Sequence, residues 1–135
     1  MNNSNWYKSL NQSPLTPPSW FISTAWAILY ALIIASGIIF LTNGGTIHSV
    51  GFLYYCAAWI LNLSWSVVFF TYARADLSFV IIMGMLAFIA LNINAFYSTS
   101  HLAAYLLVPY LAWVIFATYL NGYIVFMNPL PAVRP

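Results

Sequence analysis

Between Trp20 and Met127 the chain carries two charged side chains, Arg74 and Asp76, and they stand two residues apart. Everything on either side of that pair is apolar, aromatic or neutral and polar. Charged residues make up 3% of the whole chain and hydrophobic ones 64%, whereas about a quarter of a soluble domain is charged. Such a chain has lipid as its solvent, and the class this implies is an integral membrane protein.

The apolar sequence divides into four runs, over about residues 20–42, 50–72, 77–99 and 102–127. Each exceeds the ~20 residues that a helix rising 1.5 Å per residue needs to cross a hydrocarbon core. The breaks have turn chemistry: Asn43, Gly44 and Gly45, then Arg74 to Asp76, then Ser98 to His101. Connections this short predict that sequential helices are antiparallel neighbours. A membrane barrel would need strands alternating apolar and polar residues over about ten positions, and these runs do not alternate. The predicted fold is therefore all-α, a polytopic four-helix bundle forming one membrane domain over 1–135. The polar segment "MNNSNWYKSLNQSPLTPPSW" has no signal-peptide apolar core, so no cleavage is expected. Thr16 before Pro17 and Pro18 predicts a capped helix start.

Four crossings place both termini and the Arg74 loop on one side. The cations Lys8, Arg74 and Arg134 all fall there, while the opposite loops hold His48 and His101. The positive-inside rule predicts that side to be cytoplasmic.

The second span contains "ILNLSWSVVFF" at 60–70, an amide and two hydroxyls inside an apolar run. On a helical wheel Trp59, Asn62, Ser66, Phe69 and Phe70 share an arc of about 100°. An amide without a partner in hydrocarbon costs several kcal/mol, so that face should point inward. Ser23, Trp26, Tyr30 and Gly37 line up on the first span, Phe88, Asn92 and Ala95 on the third, and Tyr110, Trp113, Ala117, Leu120 and Asn121 on the fourth. Asn94 lies nearly opposite Asn92 and calls for a separate partner, such as a second subunit. Two readings stand side by side. Polar residues in such helices commonly bond a neighbouring helix, for about 0.6 to 2 kcal/mol. Aromatic and small or polar residues recurring on several faces also suit a pocket for a flat apolar ligand.

Four stretches together resemble the tryptophan-rich sensory protein and translocator protein family, whose animal members are also called peripheral-type benzodiazepine receptors. They are "WYKSL" at 6–10, "PPSWFISTAWAILY" at 17–30, "LNLSWSVVFF" at 61–70 and "PYLAWVIFATYLN" at 109–121. The resemblance implies a five-helix bundle, commonly dimeric, with a pocket for tetrapyrroles such as protoporphyrin IX and haem. It also implies sterol-like ligands and a role in transport or stress regulation. Carried over by motif, Trp26 and Tyr30 form one pocket wall, Asn62, Trp65 and Phe69 a second, and Trp113, Ala117 and Leu120 a third. The segment up to residue 19 resembles the lid. In the family "WYKSL" follows the first transmembrane helix, and here it begins after five residues, so the four spans correspond to helices two to five. Gln12 and Ser13 replace a frequent Lys-Pro pair, and Leu15 a frequent Trp. Gly122 stands where some relatives carry a Trp, which argues against aromatic redox or porphyrin-degrading chemistry. Tyr119 and Tyr123 have no Lys or Arg within five residues, so the proposed cholesterol pattern is absent.

Other classes find less support. A small multidrug-type exporter fits the span count, but proton coupling needs an ionisable group inside a span. A haem-ligating electron carrier would want buried axial histidines, and His48 and His101 lie at span ends. Cys56 is alone, and no nucleophile-base set or carboxylate pair suggests an enzyme. Three scattered cations make no nucleic-acid surface. A structural membrane subunit without ligand remains the rival of the binding reading. The binding reading requires no cofactor, takes a tetrapyrrole as ligand and membrane lipid as surroundings, and allows a homodimer.

Overall fold

The computed structural model describes residues 14–72 and 74–128. It is all-helical: α1 spans Ser19–Thr42, α2 Val50–Ser66, α3 Ala75–Tyr97, α4 His101–Leu106 and α5 Val108–Met127, with a π-helical turn at Val67–Thr71 extending α2. Four stretches are long and apolar enough to cross a membrane, Trp20–Thr42, Val50–Phe69, Ala75–Tyr97 and His101–Met127. Outward faces carry large apolar side chains such as Ile28, Ile38, Leu53, Ile60, Val80 and Ile115. In water such surfaces would aggregate, whereas in a bilayer they meet acyl chains.

Helix ends follow local chemistry, with two departures from expectation. Thr16 does not cap α1: Pro18 is the N-cap, extended at φ −64° and ψ 155°, and its carbonyl accepts from the amides of Phe21 and Ile22. A proline needs no amide partner there, so the start is set by backbone geometry alone. The last span is broken at Leu107 between α4 and α5. Pro109 has no N–H to give the Tyr105 carbonyl, and its ring crowds that carbonyl, which interrupts the ladder. Ser49 and Ser100 cap α2 and α4 by accepting from the amides of Phe52 and Ala103.

α3 is the hub. Its buried residues Ala75, Ser78, Ile82, Met85, Ile89, Asn92 and Phe96 alternate three- and four-residue steps, the spacing that keeps one seam facing left-handed neighbours. α2 packs along α3 closely enough that Asn92 donates to the Gly51 carbonyl at 3.2 Å. A Cβ at Gly51 would lie 3.2 Å from that of Ala95, so glycine permits the approach. The exposed amide side chain of Asn94 points away from this seam.

The sequential helices α1 and α2 are not close-packed neighbours, contrary to the short-loop expectation. α1 leans on α4, where the Ser36 hydroxyl donates to the Ala103 carbonyl at 2.7 Å. Large side chains bridge α1 to α2: the Tyr55 hydroxyl donates to the Ile33 carbonyl at 2.7 Å, and its ring lies against Gly37. Between helices held apart, aromatic rings are the residues long enough to fill the gap.

Candidate functional site

The gap between α1, α2 and α5 is filled by rings in the half of the bundle nearer the Arg74 turn. Trp26 on α1 is their centre. Its ring centroid lies 5.7 Å from Tyr30, 6.3 Å from Trp65 of α2 and 6.3 Å from Trp113 of α5, the last at 90°. Tyr30 stacks on Trp59 at 5.6 Å, and Trp65 on Phe69 at 5.3 Å. Trp113 continues outward to Phe116 and Phe21. Centroid spacings and tilts of this kind are those aromatic pairs favour.

Asn62 is fully buried, at 0% exposure. It accepts from the Tyr30 hydroxyl at 3.3 Å and donates to the Tyr110 hydroxyl at 3.1 Å. One amide on α2 thus ties α1 to α5. Nearer the Arg74 turn, Asn121 does the same for α2 and α3. Its carbonyl oxygen accepts the Trp65 indole N–H at 3.0 Å and lies 3.1 Å from the Ser78 hydroxyl, and its amide nitrogen donates to the Ala75 carbonyl at 3.0 Å. Buried amides so fully paired hold their neighbours in one geometry.

Trp26, Tyr30, Asn62, Trp65, Phe69 and Trp113 therefore converge. Ala117 packs against the core one turn beyond Trp113, and Leu120 follows on the same face, partly buried. Trp65 is 8% exposed and inside the cluster, although the wheel face drawn for α2 leaves it just outside. The buried series Ala58, Asn62, Trp65 and Phe69 shows why: the true seam is displaced toward Trp65 and away from Ser66 and Trp59, which are partly exposed. Ser23, placed inward by the same kind of reasoning, is exposed. Ser78 does not stand out in the sequence, yet a seven-residue repeat from Ala75 to Phe96 passes through it and Asn92.

One buried polar atom lacks a partner among the described residues, the indole nitrogen of Trp113. The indole has Trp26, Phe116 and Phe21 as ring neighbours, and a buried N–H without an acceptor among the described residues costs free energy that a ligand oxygen or nitrogen would relieve. His48 is exposed before α2, and His101, also exposed, stacks on Tyr97 at 4.2 Å at the start of α4. Neither lies at the ring cluster's end of the bundle. No group of three His, Cys, Asp or Glu able to hold a metal occurs among the described residues. At the turn, Arg74 donates to both carboxylate oxygens of Asp76, at 3.0 and 3.1 Å, and this pairing raises the guanidinium pKa further. The segment before Pro14, with Trp6, Lys8, Gln12 and Ser13 of the expected lid, lies outside the described residues, as does Arg134.

The sequence has relatives among known proteins. The model of the TspO/MBR family matches residues 1–127. The chain is 35% identical to the tryptophan-rich protein TspO of Chlorobaculum tepidum over 126 residues, covering 92% of this chain and 80% of that one. It is 34% identical to the tryptophan-rich sensory protein of Cereibacter sphaeroides over 116 residues, 86% of this chain and 72% of that one. It is 33% identical to the human translocator protein over 119 residues, 86% and 70% respectively.

Proposed function

Because the chain belongs to the TspO/MBR family, we propose that this multi-pass integral membrane protein binds a tetrapyrrole such as protoporphyrin IX or haem, or a similar flat apolar molecule, between α1, α2 and α5. The observation that carries the reading is Trp26, one ring meeting aromatic partners on all three helices. Rings that now stack on each other can exchange those contacts for a planar ligand at small net cost, because the ligand supplies the same faces. Burial of the ligand's apolar surface would supply most of the affinity. Asn62 would fix orientation, and the Trp113 N–H would gain an acceptor.

Binding in this reading is by stacking and not by axial histidine, since His48 and His101 stand at the opposite end. A tetrapyrrole's acidic groups would point toward the Arg74 side, which we read as cytoplasmic from its cations. Handling, transport or sensing of the ligand would be the physiological use, and a dimer its natural assembly.

The test is a titration of the purified protein in detergent with protoporphyrin IX, followed by tryptophan quenching. Saturable binding at micromolar or tighter affinity, weakened in Trp26→Ala, supports the reading. Quenching no greater than that from empty micelles plus free tryptophan overturns it and leaves the structural-subunit reading.

A further inference from the structure

The membrane-facing surface has a groove of about 470 Å³ between α1 and α5, lined by apolar residues that include Ala25, Ile28, Leu32, Ala112, Trp113 and Phe116. It lies beside the middle turns of α1, away from both ends of the span. Acyl chains, and not water, would surround its open side. Its inner wall is Trp113, and the same indole meets Trp26 at 6.3 Å. The tryptophan that faces the groove is therefore also a member of the ring cluster.

The two helices that frame the groove are unevenly secured. Among the described residues, hydrogen bonds joining α1 to other helices occur at Tyr30, Ile33 and Ser36. From Trp20 to Leu29, α1 is held to the bundle by ring and apolar contacts. Contacts of that kind slide and re-form without leaving a polar group unsatisfied, so this half of α1 can move away from α5 at lower cost than the half beyond Tyr30. At the wall itself the Trp113 N–H is buried without an acceptor among the described residues.

We propose that this groove is a lateral portal: a flat apolar ligand dissolved in the bilayer first lies in it, and reaches the ring cluster by passing Trp113 as the first half of α1 swings outward. The inference rests on the ring-cluster reading and adds the route and the waiting site. An acceptor atom on the ligand would meet the Trp113 N–H on the way in. A sideways entrance suits a molecule that partitions into lipid, because it never has to return to water.

The experiment fills the groove without substituting any ring of the cluster. Ala112→Phe fills it from α5 and Ala25→Phe from α1, so that a folding failure in one leaves the other. Ile60→Phe, on the lipid face of α2, is the control. Each protein is placed in phosphatidylcholine nanodiscs, and protoporphyrin IX delivered in the same lipid is followed by stopped-flow tryptophan quenching. A blocked route slows entry and exit alike. The expected result is association and dissociation rates both reduced about tenfold in the filled variants, with the dissociation constant within about twofold of the parent and the control unchanged. Unchanged rates in a folded filled variant overturn the portal, because the ligand then enters elsewhere. A weaker affinity without matched slowing also overturns it, since the groove is then part of the resting site. Absence of saturable quenching in the parent overturns the ring-cluster reading, and the portal with it.

Discussion

The two ends of the bundle are built on different terms. At the end formed by the α1–α2 and α3–α4 loops, side chains bond directly to backbone carbonyls: Ser36 to Ala103, Asn92 to Gly51, Tyr55 to Ile33. Phe40 and Phe96 stack there at 4.0 Å and 8°, and Phe96 also stacks on Tyr55. At the other end, six aromatic side chains from three helices touch edge to face or offset, most polar links between helices run from side chain to side chain with the Ala75 carbonyl as the exception, and an indole N–H has no acceptor among the described residues. Backbone acceptors cannot move without unwinding a helix, whereas side-chain rings can turn. The first end is a clasp and the second an adaptable chamber.

The largest effect should come from breaking the clasp. Phe96→Ala removes a fully buried ring stacked on two others, and the cavity should cost about 3 kcal/mol or more, seen as a large drop in the midpoint of thermal unfolding in detergent. An equal drop on removing a chamber ring would erase the distinction. Trp26→Ala is that comparison: it should weaken protoporphyrin IX binding about tenfold, ~1.4 kcal/mol, while lowering the unfolding midpoint less than Phe96→Ala does. Ser36→Ala should cost about 1 kcal/mol of stability and leave porphyrin affinity unchanged, which separates the two ends in one titration. The smallest effect belongs to Arg74→Gln at the exposed turn. It should leave the unfolding midpoint within error at moderate salt, where the pair with Asp76 is screened, and a large shift would mean that the turn braces the chamber.

The sequence made the clasp harder to read than the chamber. Trp26, Tyr30, Asn62 and Trp113 are conspicuous because aromatics and an amide stand out against aliphatic runs, and helical spacing puts each on an inward-facing stripe of its own span; the family motifs then assign them to one pocket. Ser36 and Tyr55 look ordinary, since their partners are carbonyls that any residue could supply. Trp65 was displaced because lipid-facing and core-facing sides of α2 are both apolar, so hydropathy does not mark the seam; packing against α3 does. The four spans were legible from length and turn residues. Their pairing was not, because a seven-residue connection from Asn43 to Ser49 permits α1 to lean on α4 as readily as on α2. Pro109 was visible throughout, but only the missing amide opposite the Tyr105 carbonyl shows that it divides the fourth span into α4 and α5.

The Asn121 junction has a consequence for how such a chain can change over generations. Trp65, Ser78 and Asn121 come from three helices and share one carbonyl oxygen. An apolar residue in place of Asn121 takes from the Trp65 indole N–H the oxygen it donates to, while the Ala75 carbonyl keeps the Ser78 hydroxyl, whereas a simultaneous exchange of all three for well-fitting apolar side chains leaves neither indole nor amide to be satisfied. Single substitutions here are steps downhill and the triple exchange is nearly level, so the three positions should drift as a linked set, each constrained by residues more than forty places away along the chain.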